Sequence, residues 1–429
     1  MKKNVFAIVL AITFAITGLT GCSKEADYTE SSNESVSEIQ EDQNSISGIE
    51  LAEVLPIEMS VDYGQGPITM YGYQCLQSDK ERQVYMEIDE HVGERVPTAF
   101  STHGISDINR ISQIIDIYTL DHPEVFWIDE EINVKACDSG VSECILRYNC
   151  EGEELEERIG EFEETMEMIL LSVPDDANAF EKELVINDYL IDLCEYDHEA
   201  PNDDLYVARN EIYSYGALVD HLANCEGYTK AAKVLLDRVG INNVPVGGKS
   251  DGIPHIWNAV EIDGNWYILD VTNNDYSSDS TSNEFWHHIY FNISVEKNSI
   301  IDSIDGIYGD EVDKKSVLHN LYIPECTATA ENFFVKTCDV LNTSDYQNIV
   351  QKVADAAKAG EDHYAFIVDE NSDYEDFRNW LYDKEKFRDL LWSVNEINGY
   401  NPEIEENEWP DYFKPYRVIW INLKLVDNN

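Results

Sequence analysis

The sequence predicts an α+β fold: a helix carrying a cysteine, packed on an antiparallel sheet carrying a histidine and an aspartate. A mainly helical N-terminal region precedes this core, and a small α+β domain follows it. Three observations lead there. Residues 225–239 place Tyr228, Ala231, Ala232, Leu235, Leu236 and Val239 at helical spacing. Residues 255–262 and 265–272 flank Asp263-Gly264, a strong hairpin signal. Helical patterns crowd the region upstream, and mixed helix and strand patterns fill the region after 326.

The cysteine helix carries its own end signals. Asn224 is a natural N-cap and Gly240 a stop. Cys225 then stands in the first turn, where free amides and the positive end of the helix dipole favour thiolate over thiol. Those amides, that of Cys225 included, are candidate oxyanion donors. The competing reading is a buried structural cysteine, and for a cysteine taken at random it is the better one.

A two-residue loop sets the register of the hairpin. Ile262 would oppose Asn265, Trp257 would oppose Asp270, and His255 would oppose Thr272. His255 and Asp270 then share a face as diagonal neighbours, roughly 7–8 Å apart at the backbone. The other face, Ile256, Val260, Ile262, Tyr267, Leu269 and Val271, reads as core. A three-residue loop would send the two polar residues to opposite faces. Cys225, His255 and Asp270 are therefore a candidate nucleophile, base and orienting acid. Singly, the last two read as a strand cap and a solvated edge residue; their agreement with Cys225 favours the triad.

Cys225-Glu-Gly-Tyr, His255-Ile-Trp-Asn and Trp266-Tyr-Ile-Leu-Asp270-Val-Thr resemble the core of the transglutaminase-like superfamily. The resemblance implies a papain-like α+β core whose Cys–His–Asp triad maps onto Cys225, His255 and Asp270. It is specific from about Tyr213 to Asp275. Weaker similarity to bacterial surface members includes Asp121-His-Pro-Glu-Val-Phe-Trp127 and Tyr290-Phe-Asn-Ile-Ser294. Asn273 departs from the pattern, since such proteins often carry tryptophan there. The implied activity is thiol acyl transfer without a cofactor. A protein or peptide, amine-bearing or from the cell wall, would give its acyl group to the cysteine, and an amine or water would release it. The rival is a noncatalytic lipid-anchored binding protein that retains the fold.

Tyr213 and Tyr215 are further candidate oxyanion donors, because a phenol donates a hydrogen bond; core packing competes with that role. Trp257 and Trp266 would wall an acyl cleft or cover the sheet. No C-x-x-C pattern occurs, and His287 and His288 lack a ligand partner at a suitable spacing, so no metal site is expected. The acidic run Asp302–Asp313 fails the register of a calcium loop, with Ile301 and Val312 in carboxylate positions.

Residues 1–22 read as a lipoprotein signal peptide: Lys2 and Lys3, an apolar run, then Leu19-Thr-Gly-Cys22, which resembles a lipobox. Lipid on Cys22 would hold the protein at the extracytoplasmic face of a bacterial membrane. Residues 23–58, rich in Ser and acidic residues, read as a flexible tether. A formal charge of −56 argues against nucleic acid and against electrostatic adhesion to a membrane. The remaining expected domains are 59–176 (mixed helical), 177–325 (core) and 326–429 (accessory).

Within them, helices are expected over Ser106–Leu120 (capped by Ser106), Glu153–Ser172, Phe180–Leu193, Tyr346–Ala359 and Phe377–Trp392. Strands are expected over His363–Val368 and Tyr416–Val426. Two cysteine pairs are candidates for disulfides: Cys137 with Cys144 across a hairpin, and Cys326 with Cys338.

Overall fold

The computed structural model describes residues 17–18, 70–74, 76–137, 140–198, 210–250, 253–275, 284–298, 324–400, 403–404 and 409–426. Lipidation at Cys22, the tether and the acidic run 302–313 lie outside the described residues. Among those described, no helix is long and apolar enough to cross a membrane. Helices are mixed with sheets whose pairing is mainly antiparallel, Asp339–Leu341 with His363–Val368 being a parallel pair, and this content fits an α+β fold. Two compact units emerge, 70–158 and 159–429, divided inside the helix Glu153–Leu170.

In the first unit, helix Asp79–Glu94 opens with a capping box. Ser78 accepts the Glu81 N–H, and the Glu81 carboxylate accepts the Ser78 N–H. Helix Ile108–Asp121 is capped by Asp107, whose carboxylate accepts the Asn109 N–H, and not by the expected Ser106. Strand Gly140–Tyr148 lies between Ile128–Cys137 and Ala99–Ser101, antiparallel to both. The expected hairpin forms, but Cys144 stands opposite Val134, and Cys137 opposite Gly140. The proposed bridge is thus out of register, and Cys144 is a buried free thiol, pushed up to about 12 by burial. The Asp121-His-Pro run is a packing element: the Asp121 carboxylate accepts the Gly72 and Tyr73 N–H groups and the Tyr85 hydroxyl.

The second unit holds the sheet of the expected core. Strands Asn243–Ser250, Ile253–Ile262 and Asn265–Leu269 form an antiparallel meander. Helix Cys225–Arg238 packs against its middle strand and is buried almost throughout, Lys230, Lys233 and Asp237 included. Burial of those charges is tolerated because they are paired: Glu226 with Lys230 and Lys233 with Asp237, each at 2.7 Å. Helix Ala179–Leu193, opened by an Asn178/Glu181 capping box, packs beside it.

Residues 326–426 contribute a second sheet, ordered Asp339–Leu341, His363–Val368, Val418–Asn422, Asp411–Phe413. Helix Tyr346–Ala359 covers it. The helix expected over 377–392 is two helices, Tyr374–Leu381 and Lys384–Asn398, because Asp383 leaves the helix and caps the second by accepting the Glu385 N–H. The expected strand Tyr416–Val426 is shorter, since Arg417 sits at φ 57 after a 3-10 turn at Lys414–Tyr416. This region has an apolar cluster of its own, including Ile349, Val353, Phe366, Leu390 and Ile421. It also shares packing with the preceding segment: Phe285 meets Phe334 and Trp420, each at 5.6 Å. Cys326 and Cys338 are both free, so the second expected disulfide is also absent.

Candidate active site

The site is assembled from a helix start and a hairpin. The Asn224 side-chain oxygen accepts the Glu226 N–H at 2.9 Å and the Gly227 N–H at 3.2 Å. Asn224 thereby consumes two first-turn donors and leaves the amide of Cys225 itself. Gly227 lets the helix start press against the preceding chain: a Cβ there would fall 2.3 Å from the Glu211 carbonyl oxygen and 2.8 Å from the Ala223 Cβ. The hydroxyl of the next residue, Tyr228, lies 2.8 Å from the Cys194 carbonyl and within hydrogen-bond reach of the Asp275 carboxylate, the two oxygens sharing its single proton. Burial raises Asp275 to about 6 against the pull of that bond. The motif Cys-Glu-Gly-Tyr thus anchors its helix at both the chain before it and the chain after Asp270.

The hairpin has the register the two-residue loop requires. Ile262 pairs with Asn265, and the ladder runs to Asn258 with Leu269. Asp263 and Gly264 both have positive φ, 51 and 76, as the turn demands. There the expectation ends: the last strand stops at Leu269, so Asp270 and Thr272 do not continue the ladder. Asp270 instead caps the short helix Val271–Asn274. Its carboxylate still reaches across the face, and His255 Nε2 lies 2.8 Å from Asp270 Oδ2. Two neighbours hold that strand end. The Asp270 N–H donates to the Tyr290 carbonyl, and Ile268 exchanges backbone bonds with Ile293. The Tyr290-Phe-Asn-Ile-Ser294 run is therefore a brace for the aspartate.

On its other side, the His255 side chain hydrogen-bonds Cys225. The three side chains form one hydrogen-bonded chain. With Nε2 on Asp270, Nδ1 is the nitrogen left for the thiol. Burial lowers the basicity of His255, but the charge and hydrogen bond of Asp270, aided by Cys225, outweigh it and raise its pKa to about 10. A positively charged imidazolium beside a cysteine favours the thiolate. Asp270 is fully buried and His255 nearly so, which strengthens these interactions.

Other sequence candidates land differently. Tyr215 donates its hydroxyl to Glu161 at 2.6 Å and stacks on Phe162, so its proton is committed away from the oxyanion position. Tyr213 is buried with its ring under the Lys230 ammonium. Trp257 is 2% exposed and lies against the His255 ring at 5.9 Å, so it backs the imidazole and does not wall an open cleft. Trp266 is partly exposed. His288 is buried, bonded to Asp188 at 2.8 Å and stacked on Phe333. One trio of possible metal donors converges among the described residues, Glu284, Asp362 and His363, with both carboxylates exposed.

Sequence reasoning missed two asparagines. Asn258, in the His-Ile-Trp-Asn run, is buried and donates to the Thr229 carbonyl and to Asn243. A polar residue among apolar strand neighbours was the available signal. Asn273, noted only as a departure, donates to Asp270 Oδ2 at 2.6 Å.

Comparison with solved structures finds likeness to "a TGase", at 18% identity and a TM-score of 0.25, over 34% of this chain and 44% of that one. A second likeness is to "a Putative Cysteine Protease from Cytophaga hutchinsonii", at 14% identity and a TM-score of 0.22, over 33% and 61%. Each match spans less than two thirds of the other chain. No protein-family model matches, and no curated protein does. At such scores the functional reading rests on the geometry of the site alone.

Proposed function

We propose that the protein is a transglutaminase-like thiol enzyme, held by lipid on Cys22 at the extracytoplasmic face of a bacterial membrane. The observation that carries this reading is the hydrogen-bonded order Cys225–His255–Asp270, with the cysteine at the start of a buried, capped helix. The Cys225 thiolate attacks a carboxamide or peptide carbonyl, forming a carbon–sulfur bond. The oxyanion is met by the Cys225 N–H. His255 gives its proton to the departing amine as the carbon–nitrogen bond breaks, leaving a thioester. An amine or water then attacks, His255 takes the proton of that nucleophile, and Cys225 is released. Asp270 keeps the imidazole oriented and stabilises its charge. Amine attack gives a crosslink and water gives hydrolysis; both share this machinery. The substrate is a protein or peptide, and the acidic charge sets nucleic acid aside.

The test is the pH dependence of alkylation at Cys225, with the modified peptide followed by mass and His255→Ala run alongside. The expected result is an apparent pKa well below roughly 8.5 that is lost in the histidine variant. An ordinary thiol indifferent to His255 would instead support a noncatalytic binding protein.

A further inference from the structure

One polar side chain beside the candidate triad, Asn273, has a role that the triad does not absorb. Asn273 makes two bonds to Asp270: its N–H donates to Oδ1 at 3.1 Å, and its side-chain amide donates to Oδ2 at 2.6 Å. The same Nδ2 lies 3.2 Å from His255 Nε2. Oδ2 is also the oxygen that receives His255, at 2.8 Å. Two N–H donors therefore converge on a single carboxylate oxygen in a site where Asp270 is fully buried. The assignment of the amide is forced, because the flipped form would set its oxygen against the carboxylate at the same distance.

We propose that Asn273 is a positioning residue that restrains the hold of Asp270 on His255 and so sets the basicity of the imidazole. The inference rests on the active-site reading above. A hydrogen bond to a carboxylate disperses its charge and weakens it as an acceptor for a second donor. The amide hydrogens of Asn273 also point a positive dipole end toward the Nε2–H edge of the ring. Both effects disfavour the imidazolium and act in the same direction. Without them His255 would hold its proton more tightly and surrender it less readily to a leaving amine. The backbone bond from Asn273 to Oδ1, meanwhile, fixes the plane of the carboxylate so that Oδ2 faces the ring. Neither bond needs the chain to move, since both come from one residue within the turn that Asp270 caps.

The titratable groups acting on His255 are Asp270 and Cys225. Removing the cysteine isolates the first. The experiment is therefore a histidine carbon–proton NMR titration of the Cys225→Ala protein, with Asn273→Leu, Asn273→Ser and Asp270→Asn added in turn. The leucine keeps the size and the backbone donor while deleting the side-chain donor; the serine retains a short hydroxyl donor if the leucine prevents folding. The expected result is that Asn273→Leu raises the His255 midpoint by about half to one pH unit. Asn273→Ser should raise it less, and Asp270→Asn should lower it. A midpoint unmoved in both Asn273 variants, with Asp270→Asn still lowering it, would overturn the proposal while sparing the triad. A midpoint unmoved by Asp270→Asn would overturn the triad reading and the proposal with it.

Discussion

The side-chain amide of Asn258 donates to the Thr229 carbonyl at 3.1 Å, while the Thr229 hydroxyl donates to the Ile256 carbonyl at 3.1 Å. The pair of bonds ties the helix that carries Cys225 to the strand that carries His255. Asn258 also donates to Asn243 Oδ1, which extends the tie to the neighbouring strand. All of these groups are buried. Asn258→Ala deletes the donor to both acceptors, at about 0.5–1.5 kcal/mol for each hydrogen bond lost. The expected outcome is a lower unfolding midpoint together with slower alkylation of Cys225. Unaltered reactivity in a clearly destabilised protein would mean that the staple supports the fold alone.

Gly227 has no room for a side chain. Alanine there would drive its Cβ into the Glu211 carbonyl, which is backbone and yields little. Overpacking of this kind costs about 1–3 kcal/mol. Gly227→Ala is expected to displace the helix start and with it Cys225. Comparison of its denaturant midpoint and its alkylation rate with those of Gly160→Ala, a glycine with open space around it, checks the point.

Cys225 is buried but small, so Cys225→Ala removes chemistry and little packing. Thioester formation should vanish, while thermal unfolding stays within a few degrees of wild type. Mass spectrometry for the acyl-enzyme and calorimetry make the two measurements. Concurrent loss of folding would reassign the residue to structure.

Glu183 predicts a pH dependence of stability. It is fully buried and its carboxyl is raised to about 8, chiefly by burial; the Asn292 amide, donating to Oε2 at 2.6 Å, works against that, and the charge of Glu331 adds to it. In the unfolded chain the same group titrates near 4.5. Between those values the folded protein holds a proton that the unfolded one releases. Stability from this group is thus complete below the lower value and is lost as pH rises toward the upper one. Glu183→Gln should flatten the fall in unfolding temperature between pH 5 and pH 8. An equally steep fall in the variant would show that other groups govern it.

Much of the site was legible because its signals are local. A cap, a helical stripe and a glycine stop define the Cys225 helix within residues 224–240. A two-residue turn sets the hairpin register, and register decides which side chains share a face. The boundaries that failed were those where a neighbour competed with the pattern. Periodicity ran through residues 377–392, but the carboxylate of Asp383 offered a cap and broke the helix. Strand propensity ran past Leu269, but Asp270 offered another, so its side chain reached His255 from a helical turn.

The sequence by itself determined the identity, order and local geometry of Cys225, His255 and Asp270, since each depends on residues a few positions away. Only the tertiary structure decided what acts on them. It spent the Tyr215 hydroxyl on Glu161, set the Tyr290 carbonyl behind Asp270, and joined the helix to the strand through Thr229 and Asn258. These partners lie far apart along the chain. Their pairing follows from the need to satisfy buried polar groups once the elements have packed, and no local pattern encodes that.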